Sequence, residues 1–105
     1  MLTIKILNSP SKGTMRIIQR KVCDDQIKEM LENGKVTAIG LVQGNVAEII
    51  MAADVAEKAS NVEISEISGN CPQHITMIGV FGDVAAVNEA LSAIKIWEKE
   101  ETTKK

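Results

Sequence analysis

The side chains with the most evident chemistry lie in one turn-like segment, SGNCPQH, at residues 68–74. Cys71 and His74 could together hold a metal ion, because thiolate and imidazole are common ligands of transition metals. A Cys-Pro turn and a single histidine at a strand edge are more often structural, and the two cysteines, Cys23 and Cys71, lack the spacing of a metal motif. We therefore predict no metal site and no cofactor.

Glu63 and Glu66 form the other candidate pair, since two carboxylates can act as general acid and general base. Their odd spacing in a strand-like run at residues 62–67 places them on opposite faces of that strand. The chain also has one histidine, no partnered nucleophile and no phosphate-binding loop. We expect a protein that is not an enzyme.

Composition limits the possible partners of this chain. Its 105 residues suffice for one domain, with 12 Lys and Arg against 14 Asp and Glu and only 2% aromatic residues. No basic field or set of stacking side chains favours nucleic acid, and no apolar run reaches the ~20 residues of a membrane span. We expect a cytoplasmic protein without a signal peptide or a disulfide framework.

Hydrophobic periodicity predicts the elements that position these residues. Alternating or continuous apolar runs predict strands at residues 2–7, 36–43, 62–67 and 74–81. Helical spacing predicts helices at 12–22, from 24 or 25 to 33, at 46–60 and from 83 onward. Ser11, Asn45 and Asp83 are the expected caps, and Asn33-Gly34 is the expected left-handed end of the second helix. The fold class is α/β, an α+β sandwich.

The predicted helix at 46–60 is apolar on more than one side. One stripe, expected to face the sheet, consists of Val46, Ile49, Ile50, Ala53 and Ala56; the other consists of Ala47, Met51, Ala52, Val55 and Ala59. A helix with two apolar sides usually has two partners. In a chain this short, we expect the second partner to be another subunit.

The order of the elements suggests a circular permutation. A sandwich of this kind needs one more strand after the last helix, but residues 98–105, EKEETTKK, are charged and do not alternate. The alternating run at residues 2–7 supplies that strand at the other end of the chain. We expect one domain over residues 1–97 and a charged tail over 98–105.

Two segments, AIGLVQGNVAEIIMAADVAEKASNVEISEI at 38–67 and HITMIGVFGDVAAVNEALSAI at 74–94, resemble the BMC domain of bacterial microcompartment shell proteins. These proteins tile hexagonally packed sheets around enzymes. With the leading strand, the order resembles the circularly permuted shell proteins of ethanolamine-, propanediol- and choline-utilising compartments. The resemblance implies a ferredoxin-like, permuted BMC fold, with helices packed on a four-stranded, mainly antiparallel sheet.

The resemblance also implies two kinds of site. The turn between the adjacent strands would line a central pore, and its residues are Ser68, Gly69, Asn70, Cys71, Pro72, Gln73 and His74. Rings of small polar groups and backbone amides favour polar or anionic metabolites over apolar gases. Lys58 matches a family lysine that packs across the edge between neighbouring hexamers; the alternative is a solvated lysine paired with Asp54.

Together these observations predict a structural shell protein that forms a ring, a hexamer, with a pore for small metabolites. Its partners would be its own copies, other shell proteins and those metabolites, but neither nucleic acid nor a membrane. The alternative function is a cytosolic, oligomeric ligand-sensing module of ferredoxin-like topology, with the turn at 68–74 as its one candidate pocket.

Overall fold

The computed structural model describes residues 2–68 and 75–103, and the side chains of residues 2–68 and 76–101. This part of the chain forms four strands and four helices in the predicted order. They are β1 (Thr3–Asn8), α1 (Lys12–Lys21), α2 (Asp25–Glu32), β2 (Ala38–Asn45), α3 (Val46–Ala59), β3 (Glu63–Ile67), β4 (Ile75–Gly82) and α4 (Val84–Thr103). The mixed fold class is confirmed.

The four strands form one antiparallel sheet in the order β1-β2-β4-β3. Gly40, in the middle of β2, lies opposite Ile6 of β1 and Val80 of β4. The near-continuous apolar run of β2 is explained by its central position, where helices cover both faces of the sheet. The alternating run at the start of the chain forms an edge strand of the same sheet.

Both faces of the sheet are apolar. Successive strand residues point to opposite faces, and apolar residues occupy both sets of positions. On one face, α3 and α4 cover Ala38, Val42, Ile78 and Val80, and on the other, α1 and α2 cover Ile39, Ile67 and Phe81. The result is a sheet between two helical layers, with one apolar cluster on each side. Ser65 of β3 is also buried, since it shares the face of Ile67.

Two glycines allow close approach across the sheet. A Cβ atom at Gly79 would overlap the ring of Phe81 and would lie 2.9 Å from Cδ1 of Ile67. A Cβ atom at Gly40 would lie 2.9 Å from Cδ2 of Leu91 in α4. The missing side chains leave space for the Phe81 ring on one face and for α4 on the other.

The helix ends follow local sequence signals. Ser11, Asp24, Asn45 and Asp83 each accept hydrogen bonds from backbone N–H groups two or three residues later, at 2.8–3.3 Å. These side chains satisfy N–H groups that have no partner within the helix. Gly34, with φ of 68°, follows α2 in the left-handed conformation. The predicted caps are confirmed.

The inner face of α3 differs from the predicted one. Ile49, Ala52 and Ala56 are buried against the sheet, whereas Ile50 is 64% exposed and Val46 is also exposed. Placing Ala52 on the outer stripe and Val46 and Ile50 on the inner stripe was therefore wrong. Small and aliphatic residues surround this helix on most sides, so periodicity alone does not define its direction of burial.

Helix α4 continues through residues expected to form a charged tail. It extends to Thr103, and the expected boundary between residues 97 and 98 is not marked by a helix end. The carboxylate of Glu98 accepts a hydrogen bond from the backbone N–H of Leu2 at 2.6 Å. This contact joins the last third of α4 to the residue before β1. Within residues 2–68 and 75–103, none of the helices combines the length and hydrophobicity of a membrane span.

Candidate pore turn and assembly surfaces

Ser68 is the first residue of the predicted pore turn and directly follows β3. Its backbone N–H donates to the carbonyl of Lys21 at 2.8 Å, and the backbone N–H of Cys23 donates to the carbonyl of Glu66 at 3.4 Å. Val22 and Ile67 form an isolated antiparallel bridge between the same segments. The link between α1 and α2 therefore lies along the outer edge of β3 and fixes the start of the turn.

The rest of the predicted pore turn consists of Gly69, Asn70, Cys71, Pro72, Gln73 and His74, which lie outside the described residues. Strand β4 begins at Ile75, which pairs with Asn45, the cap of α3. The turn therefore joins two neighbouring antiparallel strands at the end of the sheet where α3 begins. Among the described residues, no group of three or more His, Cys, Asp and Glu side chains could hold a metal ion.

Lys58, the predicted edge residue, forms the ion pair that its sequence spacing suggests. Its Nζ atom lies 2.8 Å from Oδ2 of Asp54, one turn earlier in α3, and its side chain is 76% exposed. The hydrogen bond to Asp54 and the charge of that carboxylate raise the pKa of Lys58. Because water screens so exposed a pair, its contribution to stability is small, and the lysine is accessible to a neighbouring molecule.

The outward side of α3 carries an uncovered apolar surface, which we call the α3 outer patch. It consists of Val46, Ala47, Ile50 and Met51, all of them exposed. Contiguous exposed apolar groups mark interaction surfaces more often than isolated ones do. The second stripe of the sequence prediction indicated such a surface, although only Ala47 and Met51 were assigned to it.

The described residues offer surfaces rather than a catalytic cleft. Every buried side-chain nitrogen or oxygen among them has a hydrogen-bond partner, so none of these buried groups needs a ligand to satisfy it. Glu63 and Glu66 are both exposed, and Glu66 accepts a hydrogen bond from the hydroxyl of Thr76 at 3.3 Å. The two carboxylates occupy alternate sides of β3 and form no acid–base pair.

Comparison with known proteins identifies the family. The profile of the BMC domain matches residues 38–101. The ligand-free GrpU microcompartment shell protein of Pectobacterium wasabiae is 34% identical, with a TM-score of 0.67, and the match covers 89% of this chain and 99% of that chain. Its counterpart from Clostridiales bacterium 1_7_47FAA is 31% identical, with a TM-score of 0.68 and coverage of 98% and 99%.

EtuB of Clostridium kluyveri has the same fold at lower identity. It is 18% identical with a TM-score of 0.58, and the match covers 90% of this chain and 38% of that chain. No curated protein matches the sequence significantly. The extent of the domain match and the two shell-protein structures above 30% identity agree with the sheet order and helical layers described above. The chain therefore belongs to the BMC domain family, whose members are structural proteins of microcompartment shells and not enzymes.

Proposed function

We propose that copies of this shell protein close into a ring, a hexamer, with the turn at residues 68–74 around its axis. The α3 outer patch is the observation that carries the proposal. Both faces of the sheet are already covered within one chain, so the fold does not need this surface. An apolar surface without a role in the subunit's own core is suited to contact between subunits.

The pore proposal is supported by the position of the turn. It connects adjacent strands at one end of the sheet, and its first residue, Ser68, is exposed and held by Lys21. Six copies of a polar turn around a narrow opening would present hydroxyl, amide and backbone N–H groups to a passing molecule. We therefore propose polar or anionic metabolites as the permeating class, with residues 68–74 as the lining.

Lys58 is proposed as the contact between neighbouring rings. It lies near the end of α3, where it is exposed and paired with the carboxylate of Asp54, which is also exposed. A long side chain whose pair contributes little can exchange that partner for a group on an adjacent ring. Other shell proteins would meet the same edge. We also propose a circularly permuted order, which is supported by the hydrogen bond from Leu2, the residue before β1, to Glu98 of α4, because it brings the edge strand next to the last helix.

Electron microscopy and native mass spectrometry of the purified protein test the assembly. We expect six-fold rings and, at high concentration, flat sheets or tubes. A stable monomer at high concentration would refute the ring, and oligomers without six-fold symmetry would refute the hexamer.

Oxidative cross-linking tests the pore separately. In a ring with the turn at its axis, the Cys71 thiols of neighbouring copies lie close together, so mild oxidation should give disulfide-linked dimers. Cys71→Ser should abolish these dimers, whereas Cys23→Ser, the matched change at the exposed cysteine after α1, should not. Rings that give no Cys71-dependent dimers would place the turn away from the axis.

A further inference from the structure

Helix α1 is the most strongly basic element of the described chain. It carries Lys12, Arg16, Arg20 and Lys21 and no acidic residue, although the chain as a whole has a net charge of −2. Lys12, Arg16 and Arg20 follow one another at four-residue spacing and form a row on one exposed side. Among the described residues, no carboxylate is in ion-pair contact with these cations.

The same exposed side of α1 also carries an apolar group. Ile17 lies next to Arg16 in this helix, three residues before Arg20, and is 52% exposed. The opposite side of α1 packs on the sheet, because Ile18 and the following cap residue, Val22, are buried in the cluster that contains Phe81. Helix α1 therefore presents an isoleucine among cations on a rigid support. We call this side the α1 basic face.

The α3 outer patch has the matching composition. Ile50 is followed by Asp54 about one helical turn later and by Glu57 about two turns later, and both carboxylates are exposed. Acidic residues outnumber basic ones in α3, where Lys58 is the one cation. An apolar centre with acidic neighbours complements an apolar centre with basic neighbours, which favours recognition between them.

We propose that the α1 basic face of one copy docks on the α3 outer patch of the next copy. Ile17 would pack against Ile50 and Met51, and Arg16 and Arg20 would approach Asp54 and Glu57 beside the patch. The low aromatic content and the acidic net charge disfavour nucleic acid and anionic membranes as the occupant. This inference rests on the proposed ring and specifies its contact.

The layer positions of the two helices determine the symmetry of this contact. Helix α1 packs on one face of the sheet and α3 on the other, so a single subunit cannot bring its own two surfaces together. Each copy would use its α1 basic face towards one neighbour and its α3 outer patch towards the other. A repeated contact between different surfaces closes into a ring when the rotation between copies divides a full turn.

Paired cysteines test this contact directly. In a background with Cys23→Ser and Cys71→Ser, we would combine Ile17→Cys with Met51→Cys and treat the oligomer with a short bis-maleimide cross-linker. We expect a ladder of covalent species up to the full ring on a denaturing gel. Each single variant should remain monomeric on the gel, because the contact never places a residue against its own copy.

A matched pair controls for random collisions. Ile96→Cys with Met51→Cys places both thiols on exposed positions of the same helical layer, and it should give no ladder. Oligomers of normal mass without a ladder from the Ile17 and Met51 pair would overturn this contact and leave the ring standing. Monomers in native mass spectrometry of the unmodified protein would overturn both.

Charge reversal provides a second measurement. Arg16→Glu with Arg20→Glu should raise the concentration for half-assembly at least tenfold at low ionic strength. The control, Lys28→Glu with Lys35→Glu, makes the same charge change outside the α1 basic face, in α2 and in the link that follows it, and should shift assembly less than twofold. An equal effect of the two double variants would mean that net charge, rather than the α1 basic face, controls assembly, and would overturn the proposal.

Discussion

Ile50 and Ala52 are two residues apart in α3, yet one is 64% exposed and the other is fully buried. Ile50→Lys should therefore leave the subunit folded and weaken its assembly, whereas Ala52→Lys should prevent folding. A substitution at an exposed site usually changes stability by no more than ~0.5 kcal/mol. An unpaired ammonium among the apolar residues between α3 and the sheet costs roughly several kcal/mol, a large part of a small domain's stability.

The effect on assembly can be estimated from the exposed fraction. Complete burial of an isoleucine side chain stabilises by roughly 1.5–3 kcal/mol. Since 64% of Ile50 is still exposed in the subunit, covering it in a contact would contribute about 1–2 kcal/mol. Lysine loses this contribution and must also shed water from its charge. We therefore expect at least about 1.4 kcal/mol less per contact, a tenfold weaker association.

Sedimentation velocity over a concentration series would measure the assembly, and thermal unfolding followed by circular dichroism would measure the fold. Thr37→Lys, at an exposed position before β2, adds the same charge outside the patch and should assemble like the parent. If Ile50→Lys assembled at the parental concentration, the α3 outer patch would not be a subunit contact. A folded Ala52→Lys subunit with a parental melting temperature would refute the burial on which the comparison depends.

Two further predictions concern the sheet and the edge lysine. Gly79→Ala should lower the free energy of unfolding by about 1–3 kcal/mol in denaturant unfolding, because the new methyl group overlaps the Phe81 ring. When Gly79→Ala is combined with Phe81→Leu, the loss should be smaller than the sum of the losses of the two single variants. Strictly additive losses would contradict the overlap. Asp54→Asn should lower the pKa of Lys58 towards its ordinary value of 10.5, as followed by NMR, because the carboxylate holds it above that value. Because the pKa of Lys58 is raised in the folded state, the pair's contribution to stability is present at neutral pH and is lost as the pH rises through that pKa, above 10.5. Identical titration of Lys58 in the parent and in Asp54→Asn would exclude the pair in solution.

The order of the elements could be predicted because its signals are local. Ser11 and Asn45 can cap only the helices that follow them, and Gly34 favours a left-handed end to α2 whatever the rest of the chain does. The alternation of residues 2–7 likewise requires one covered face. Such features depend on neighbours within a few residues, so the sequence contains most of the information needed.

The direction of burial was harder to predict. Val46 and Ile50 are as apolar as Ile49, and only the packing of α3 against the sheet distinguishes them. Ser65 is buried because α1 and α2 return over its face, which no pattern within β3 indicates. These positions depend on contacts between distant segments, as does the link at residues 21–23 along β3.

That link between α1 and α2 has a consequence for crowded subunits. An unpaired edge strand can form backbone hydrogen bonds with any extended chain nearby, which is a common route to irreversible aggregation. Here the main chain of Lys21 and Cys23 already bonds to Ser68 and Glu66, so the end of β3 is engaged by its own polypeptide. At this end of β3, a contact between crowded copies would therefore be made by side chains, which separate more readily than paired strands.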